Sequence, residues 1–446
     1  MSSNALKSIF AIKKEELPFS ILMSLYFFFV ITSFWILKPI KKALFIDYYK
    51  ELGGLDLFSW HLLGSQAELI AKVLNMVVAA VAVIVFTILS RRFQREKLTV
   101  IFSIFFIACY LLYATLLSSP QGITVWTFYL FGDLFSTLMV ATFFVFLNDS
   151  VTSDAAKRLY GLIGFGGVAG GVFGTTSVRA LLTQVSNTGW MFVLAVIGLV
   201  ISGIAVAAGR RVSQFKKISE EKISNDPDQS IIKGKGNPAI EGAKLVFSSK
   251  YLLGIVGIVG LYEMVSTIMD FQFSASVEHF VQGSTREHFA TVFAITNSVA
   301  MFVQLFLTSF VMTRFGVGMA LLVLPVTAML GSFGFLLVPV LLMGSALNTA
   351  DNAFSYSINQ SAKESLYVPR TKDEKYRAKA FIDMFVQRFA KAAAVGLSLL
   401  ISTYFAGDFS AIRWLSLLTA AILILWLYVA RITGKRFDEL TAHDSR

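Results

Sequence analysis

One cysteine, Cys109, stands in a chain of 446 residues. A lone thiol excludes an internal disulfide framework and any cysteine-based metal site. The four histidines, His61, His279, His288 and His443, show no ligand spacing. The chain has no Ser-His-Asp order, no P-loop and no metal-hydrolase motif. No cofactor is implied and no enzyme chemistry is evident, which favours moving a molecule over transforming one. Charge is scarce as well, at 15% of residues. The short N-terminus resembles neither a cleaved signal peptide nor a transit peptide.

What fills the chain instead is apolar: 56% of residues are hydrophobic and the mean hydropathy is +0.69. A membrane-crossing helix takes roughly 20 apolar residues, and about twelve such runs are readable. They cover 17–37, 67–90, 98–118, 123–148, 160–184, 189–208, 251–275, 289–312, 317–339, 342–365, 378–403 and 411–431. The tenth is polar along one side. The expected fold class is an all-α polytopic protein embedded in a lipid bilayer.

The net charge of +11 raises a nucleic-acid reading. Its distribution argues for membrane topology instead, with no nucleic-acid partner. Basic residues cluster in the N-terminus (Lys7, Lys13, Lys14) and after the second run (Arg91, Arg92, Arg95, Lys97). They cluster again after the sixth (Arg210, Arg211, Lys216, Lys217), in the loop after the tenth and in the C-terminal tail. Every second loop is basic, and the alternate ones, such as SSPQG and FAGDFS, are mostly uncharged. This is the positive-inside pattern with both termini cytoplasmic.

The longest polar stretch, 210–244, separates six runs from six. The expected organisation is an N-terminal six-helix bundle over 1–209, a cytoplasmic central loop over 210–246 and a C-terminal bundle with a short tail over 247–446. AAKRLYGLIGFGGVAGG at the fifth run and YRAKAFIDMFVQRFAKAAA at the eleventh echo one another. Such a layout resembles that of major-facilitator transporters, whose substrate site lies near the midplane between the halves.

Polar residues inside the runs are the candidate functional groups. Lys38, Lys41 and Lys42, spaced i, i+3, i+4 around Pro39, share one helical face. Cations at that depth are costly unless water, a partner or an anion compensates them, so a negatively charged substrate is expected. Glu263, mid-run in GIVGLYEMVSTIMDFQF, reads as a substrate contact, a cation site, a proton carrier or a structural partner of a lysine. Asp270 lies seven residues on. Asn348, Asn352, Ser355, Asn359 and Lys363 form a stripe, with Asp351 and Tyr356 nearby. The stripe reads as a cavity wall or as interhelical hydrogen bonding.

In the eleventh run Lys379 and Asp383 are i, i+4 neighbours, and Arg388 and Lys391 follow deeper in. A guanidinium suits bidentate phosphate binding. Asp133 is the fourth run's acid. Glu68 and Lys72 read as a structural i, i+4 pair, and Arg179 is assigned no role. The glycines of GLIGFGGVAGGVFG read as close helix packing through small-xxx-small pairs, rather than as a phosphate loop that no strand precedes.

These residues also carry a resemblance. KESLYVPRTKDEKYRAKAFIDMFVQRFAKA (363–392), WILKPIKKALFI, NDSVTSDAAKRLYGLIGFGG and GLYEMVSTIMDFQF resemble, in order along the chain, the bacterial and plastid nucleotide transporter family, the ATP/ADP translocases. The resemblance implies a twelve-helix, major-facilitator-like transporter exchanging nucleotides (ATP, ADP) and phosphate by alternating access; a monomer in a bacterial inner membrane is expected. It implies substrate-linked roles for Lys41 in KPIKK, Lys379 in AKAFID, Glu263 in LYEMV and Asp133. Two positions depart from the family pattern: Lys42 replaces an acid and Lys38 replaces an arginine. Phosphate contacts are expected from Lys38, Lys41, Lys42, Lys379 and Arg388, with Asp133, Glu263 and Asp383 as coupling or gating carboxylates. Asn348, Asn352, Tyr356 and Asn359 would line the polar wall. The alternative is a proton-coupled importer of another anionic metabolite, with Glu263 as the coupling carboxylate.

Overall fold

The computed structural model describes residues 16–58, 60–151, 153–220, 238–369, 371, 374, 378–379, 381–404 and 409–444. Long apolar runs leave the backbone no partner but itself, so each run closes its hydrogen bonds within a helix. Helix α1 (Leu17–Glu51) continues unbroken through Pro39. A hairpin of β1 (Leu55–Leu57) and β2 (Trp60–Leu62) follows, with Leu55 facing Leu62 and Leu57 facing Trp60. It is the only sheet among the described residues. Next come α2 (Gly64–Arg92), α3 (Arg95–Leu116), α4 (Gly122–Ser150), α5 (Ser153–Ala180) and α6 (Asn187–Glu220). A short α7 (Pro238–Ser248) leads into α8 (Lys250–Phe280), whose first turn is capped by the Ser249 hydroxyl accepting from Leu252 N–H at 3.4 Å.

The remaining helices are less regular. α9 (Arg286–Phe302) passes through a π turn (Val303–Leu307) into α10 (Thr308–Leu337). α11 (Leu341–Phe354) and α12 (Gln360–Ser365) flank a second π turn (Ser355–Asn359). A third (Ile382–Val386) opens α13 (Gln387–Tyr404), and a 3₁₀ turn (Phe409–Trp414) opens α14 (Leu415–Asp444).

Among the described residues, nine helical stretches rather than twelve are long and apolar enough to cross a membrane. Two facts account for the difference. Arg286–Leu337 is a single stretch of 52 residues, about twice what one crossing needs. The chain turns inside it at Gly316, where φ is +80°, and the expected eighth and ninth runs fall on either side. The expected tenth and eleventh runs are helical but polar, and π turns interrupt them.

The chain forms two compact units, each drawing on both halves of the sequence. Among the described residues, the first comprises the parts of Met1–Tyr48, Leu74–Ser230 and Arg286–Asn297. Its core is aromatic, with Tyr26, Phe106, Tyr110, Phe128, Phe143, Phe146 and Trp190 fully buried. Tyr26 meets Phe143 edge-on at 5.2 Å and shares a 3.0 Å hydrogen bond with Thr99. Against this core α5 lies on α1 so closely that a Cβ at Gly170 would stand 2.4 Å from the Phe28 carbonyl oxygen. This is the packing use of the glycine run.

The second unit comprises the parts of Tyr49–Val73, Ile231–Thr285 and Ser298–Arg446. Here α8 packs on α11, α13 and α14, and α10 packs on α14. Its core is aliphatic around Trp426, with Ile255, Ile258, Ile268, Leu324 and Leu423 buried.

Candidate functional site: two lysine–carboxylate clusters

In the first unit α1 carries all three lysines. Lys41 lies about 15 Å from the helix's last residue. Lys41 and Lys42 are only 5% and 4% exposed. Lys41 forms an ion pair with Asp133 of α4. The second Asp133 oxygen accepts a 2.7 Å hydrogen bond from Asn75 Nδ2 of α2. The Tyr129 ring, one turn before Asp133, lies 4.4 Å from Lys41 Nζ. Gly132 makes room for the lysine's stem, because a Cβ there would come within 2.6 Å of Lys41 Cδ.

Lys38 takes aromatic faces: Nζ is 4.4 Å from Trp35, 5.0 Å from Phe293 and 5.8 Å from Phe34. Lys42 Nζ lies 5.7 Å from the Phe289 ring. Cation–π contacts of this kind lower the cost of keeping an ammonium out of water.

In the second unit Lys72 of α2 pairs with Asp270 of α8 and stands 3.8 Å from Glu68. The second Asp270 oxygen accepts from Asn348 Nδ2 at 3.3 Å. The Glu68–Lys72 pair expected from spacing is therefore one side of a larger cluster. Asn352 donates to the Asn348 carbonyl at 2.9 Å, and buried Asp351 accepts from Ser266 at 2.6 Å. Asn359, at the end of the second π turn, is wholly buried, and its amide finds no hydrogen-bond partner among the described residues. Tyr356 by contrast is exposed. The polar stripe thus has a buried edge that bonds to α8 and an open edge.

Glu263 lies 3.8 Å from Lys391 Nζ. Lys379 meets Glu364 Oε1 at 2.5 Å, with the Tyr367 ring 6.0 Å away. The Asp383 side chain, expected to neighbour Lys379, lies outside the described residues. A π turn begins at Ile382. Arg388 is half-buried in the first turn of α13. Arg179 lies 3.2 Å from Glu287.

Sequence reasoning missed Asn75, Glu278 and Glu364 and underrated Lys72. A signal existed for one of them. Glu68, Lys72 and Asn75 follow i, i+4, i+7 spacing and so mark one polar face on an otherwise apolar helix.

The description "TLC ATP/ADP transporter" belongs to a family whose pattern matches residues 121–342 and 336–437 of this chain. A plastidic ATP/ADP-transporter of Solanum tuberosum is 21% identical over 71% of this chain and 54% of its own length. ADP,ATP carrier protein 1 of Rickettsia bellii (strain RML369-C) is 25% identical over 70% of this chain and 69% of its own. The chain thus spans little more than half of the plastid relative. Among solved structures, the POT family transporter PepTSo superposes with a TM-score of 0.65 at 12% identity, covering 95% of this chain and 98% of that one. That likeness shows the major-facilitator-like fold, and the chain is a multi-pass membrane protein. With the match extending over most of the chain, through the α4 acid, the α8 acid and the α13 basic residues, it belongs to the TLC ATP/ADP transporter family.

Proposed function

We propose that this chain is a nucleotide transporter that exchanges ATP for ADP, with phosphate, by alternating access, and is not an enzyme. The observation that carries the reading is Lys41, a 5% exposed cation inside a membrane helix that forms an ion pair with the Asp133 carboxylate. Between substrates Asp133 lowers the cost of holding Lys41 out of water. A polyphosphate oxygen can take the carboxylate's place, and Lys38 and Lys42 add charge on the same helix. In the second unit Lys379 and Arg388 supply the basic groups, and the Arg388 guanidinium can grip a phosphate through two parallel bonds. Glu263 and Asp383 are carboxylates that can exchange partners during the cycle, and Asn348, Asn352, Tyr356 and Asn359 offer neutral hydrogen bonds. The relatives are named for ATP and ADP. Glu263 stands beside Lys391, which supports charge compensation rather than proton carriage. The protein works as a monomer in a bacterial inner membrane with both termini cytoplasmic.

Counterflow into proteoliposomes tests this. Labelled ATP is expected to enter vesicles loaded with ADP and not empty ones. Lys41→Ala is expected to slow that exchange at least about tenfold with the folded yield retained. Undiminished exchange in Lys41→Ala would count against the site. Uptake driven by a pH gradient alone would replace exchange with the proton-coupled scheme.

A further inference from the structure

Two stretches of chain sit in the unit built mainly from the other half of the sequence. Tyr49–Val73, with the end of α1, the hairpin and the start of α2, belongs to the second unit. Arg286–Asn297, the start of α9, belongs to the first. They hold matching places, because each opens the second membrane helix of its half.

Charged contacts fasten both. In the second unit the Glu278 carboxylate, only 8% exposed, accepts from Gly64 N–H at 2.7 Å and from Ser65 N–H at 2.8 Å. These are the first two amides of α2, which have no acceptor within their own helix. The carboxylate also faces the positive end of the helix dipole. Lys50 Nζ donates to the Val281 carbonyl at 2.5 Å, and Lys72 reaches Asp270. In the first unit Arg286 donates to the Leu182 carbonyl at 2.6 Å and to Asn187 Oδ1 at 2.8 Å.

We propose that Glu278 is a gate latch: it caps α2 in this state and releases Gly64 and Ser65 each time the α1–α2 side of the membrane opens. The inference rests on the alternating-access reading. A carrier that shows its substrate to each side in turn must part the two halves of its sequence on one side at a time. A bond between the start of α2 and the end of α8 joins the two halves, so it breaks in every cycle. Its chemistry suits that duty. Charge-assisted bonds hold the closed state firmly. Once parted, both the carboxylate and the two amides find water as a replacement partner.

The test reads access rather than transport. Cys109→Ser with Ala67→Cys places one thiol at a fully buried position beside the latch. The full chain, in proteoliposomes, is labelled with a membrane-impermeant maleimide. Glu278→Ala is expected to speed labelling about tenfold or more. Gly64→Pro removes one of the two donors, and the first turn of a helix accepts proline. It is expected to give a smaller rise, and it carries the test alone if Glu278→Ala does not fold. Equal labelling rates in parent and variants overturn the latch, even where labelled ATP still exchanges. Faster labelling with no ATP exchange keeps the latch and removes the nucleotide reading.

Discussion

Lys41 in the first unit meets Asp133, whose second oxygen accepts an amide hydrogen from Asn75. Lys72 in the second unit meets Asp270, whose second oxygen accepts one from Asn348. The two triads share their chemistry and differ in what surrounds them. Lys72 has a second carboxylate, Glu68, at 3.8 Å. The helices around Lys41 are regular and set tightly together, with Gly170 pressed against the Phe28 carbonyl. All three π turns among the described residues lie in the second unit. A π turn widens the helix and releases backbone groups from regular pairing, and such turns concentrate at functional positions. One ion-pair design is built into a close-packed frame in one unit and an irregular frame in the other. The first frame suits fixing a charge in place, and the second suits changing partners.

The largest expected effect separates the two triads. Asp133→Ala removes the carboxylate that faces a 5% exposed lysine, and a loss of about 3 kcal/mol in folding stability is expected. Asp270→Ala is expected to cost only about 1 kcal/mol, because Glu68 stays within reach of Lys72. Thermal unfolding in detergent compares them, and an equal or larger drop for Asp270→Ala breaks the distinction.

The frames differ next. Gly170→Ala forces α5 away from α1 and is expected to cost about 2 kcal/mol. Gly396→Ala in α13, where a Cβ meets nothing within 4 Å, is expected to be neutral or to gain up to about 1 kcal/mol from helix propensity. The same melting assay reads both.

The smallest effect lies in the hairpin of the second unit. His61 Nδ1 is 2.8 Å from Asp56 Oδ1, and Nε2 is 2.9 Å from the Gly53 carbonyl oxygen. A protonated ring donates to both. The Asp56 hydrogen bond, with its charge, therefore raises the His61 pKa above its ordinary value. A raised value places the hairpin's added order fully below the unfolded pKa, near 6.5, and loses it as pH climbs through the higher folded value. Amide protection across 53–63, taken relative to the intrinsic base-catalysed exchange rate, is expected to fall as pH rises above about 6.5 in the parent. Asp56→Asn should flatten that dependence, and an unchanged profile in Asp56→Asn assigns it to another group.

Much of this architecture was legible beforehand because the bilayer is so restrictive a solvent. Apolar runs of membrane-crossing length have to become helices, and the six runs before residue 210 reappear as α1 to α6 with shifted ends. The resemblance carried by the KPIKK, LYEMV and AKAFID segments named the family that the wider match supports. Pairings were far less legible. Spacing joins residues only along one helix, as it joined Glu68 to Lys72. It cannot see Asp270 arriving from α8, Glu364 reaching Lys379, or Glu278 capping α2.

The residue order by itself determined that this protein is helical and membrane-embedded, with scarce charges placed where they require compensation. The reason is local: burying a peptide group or an ammonium in hydrocarbon has a large cost that any short segment reveals. Tertiary structure alone decided which carboxylate answers each lysine and which segments cross from one unit to the other. Those outcomes depend on distances of a few ångströms between residues tens to hundreds of positions apart, and helical periodicity carries no information about them.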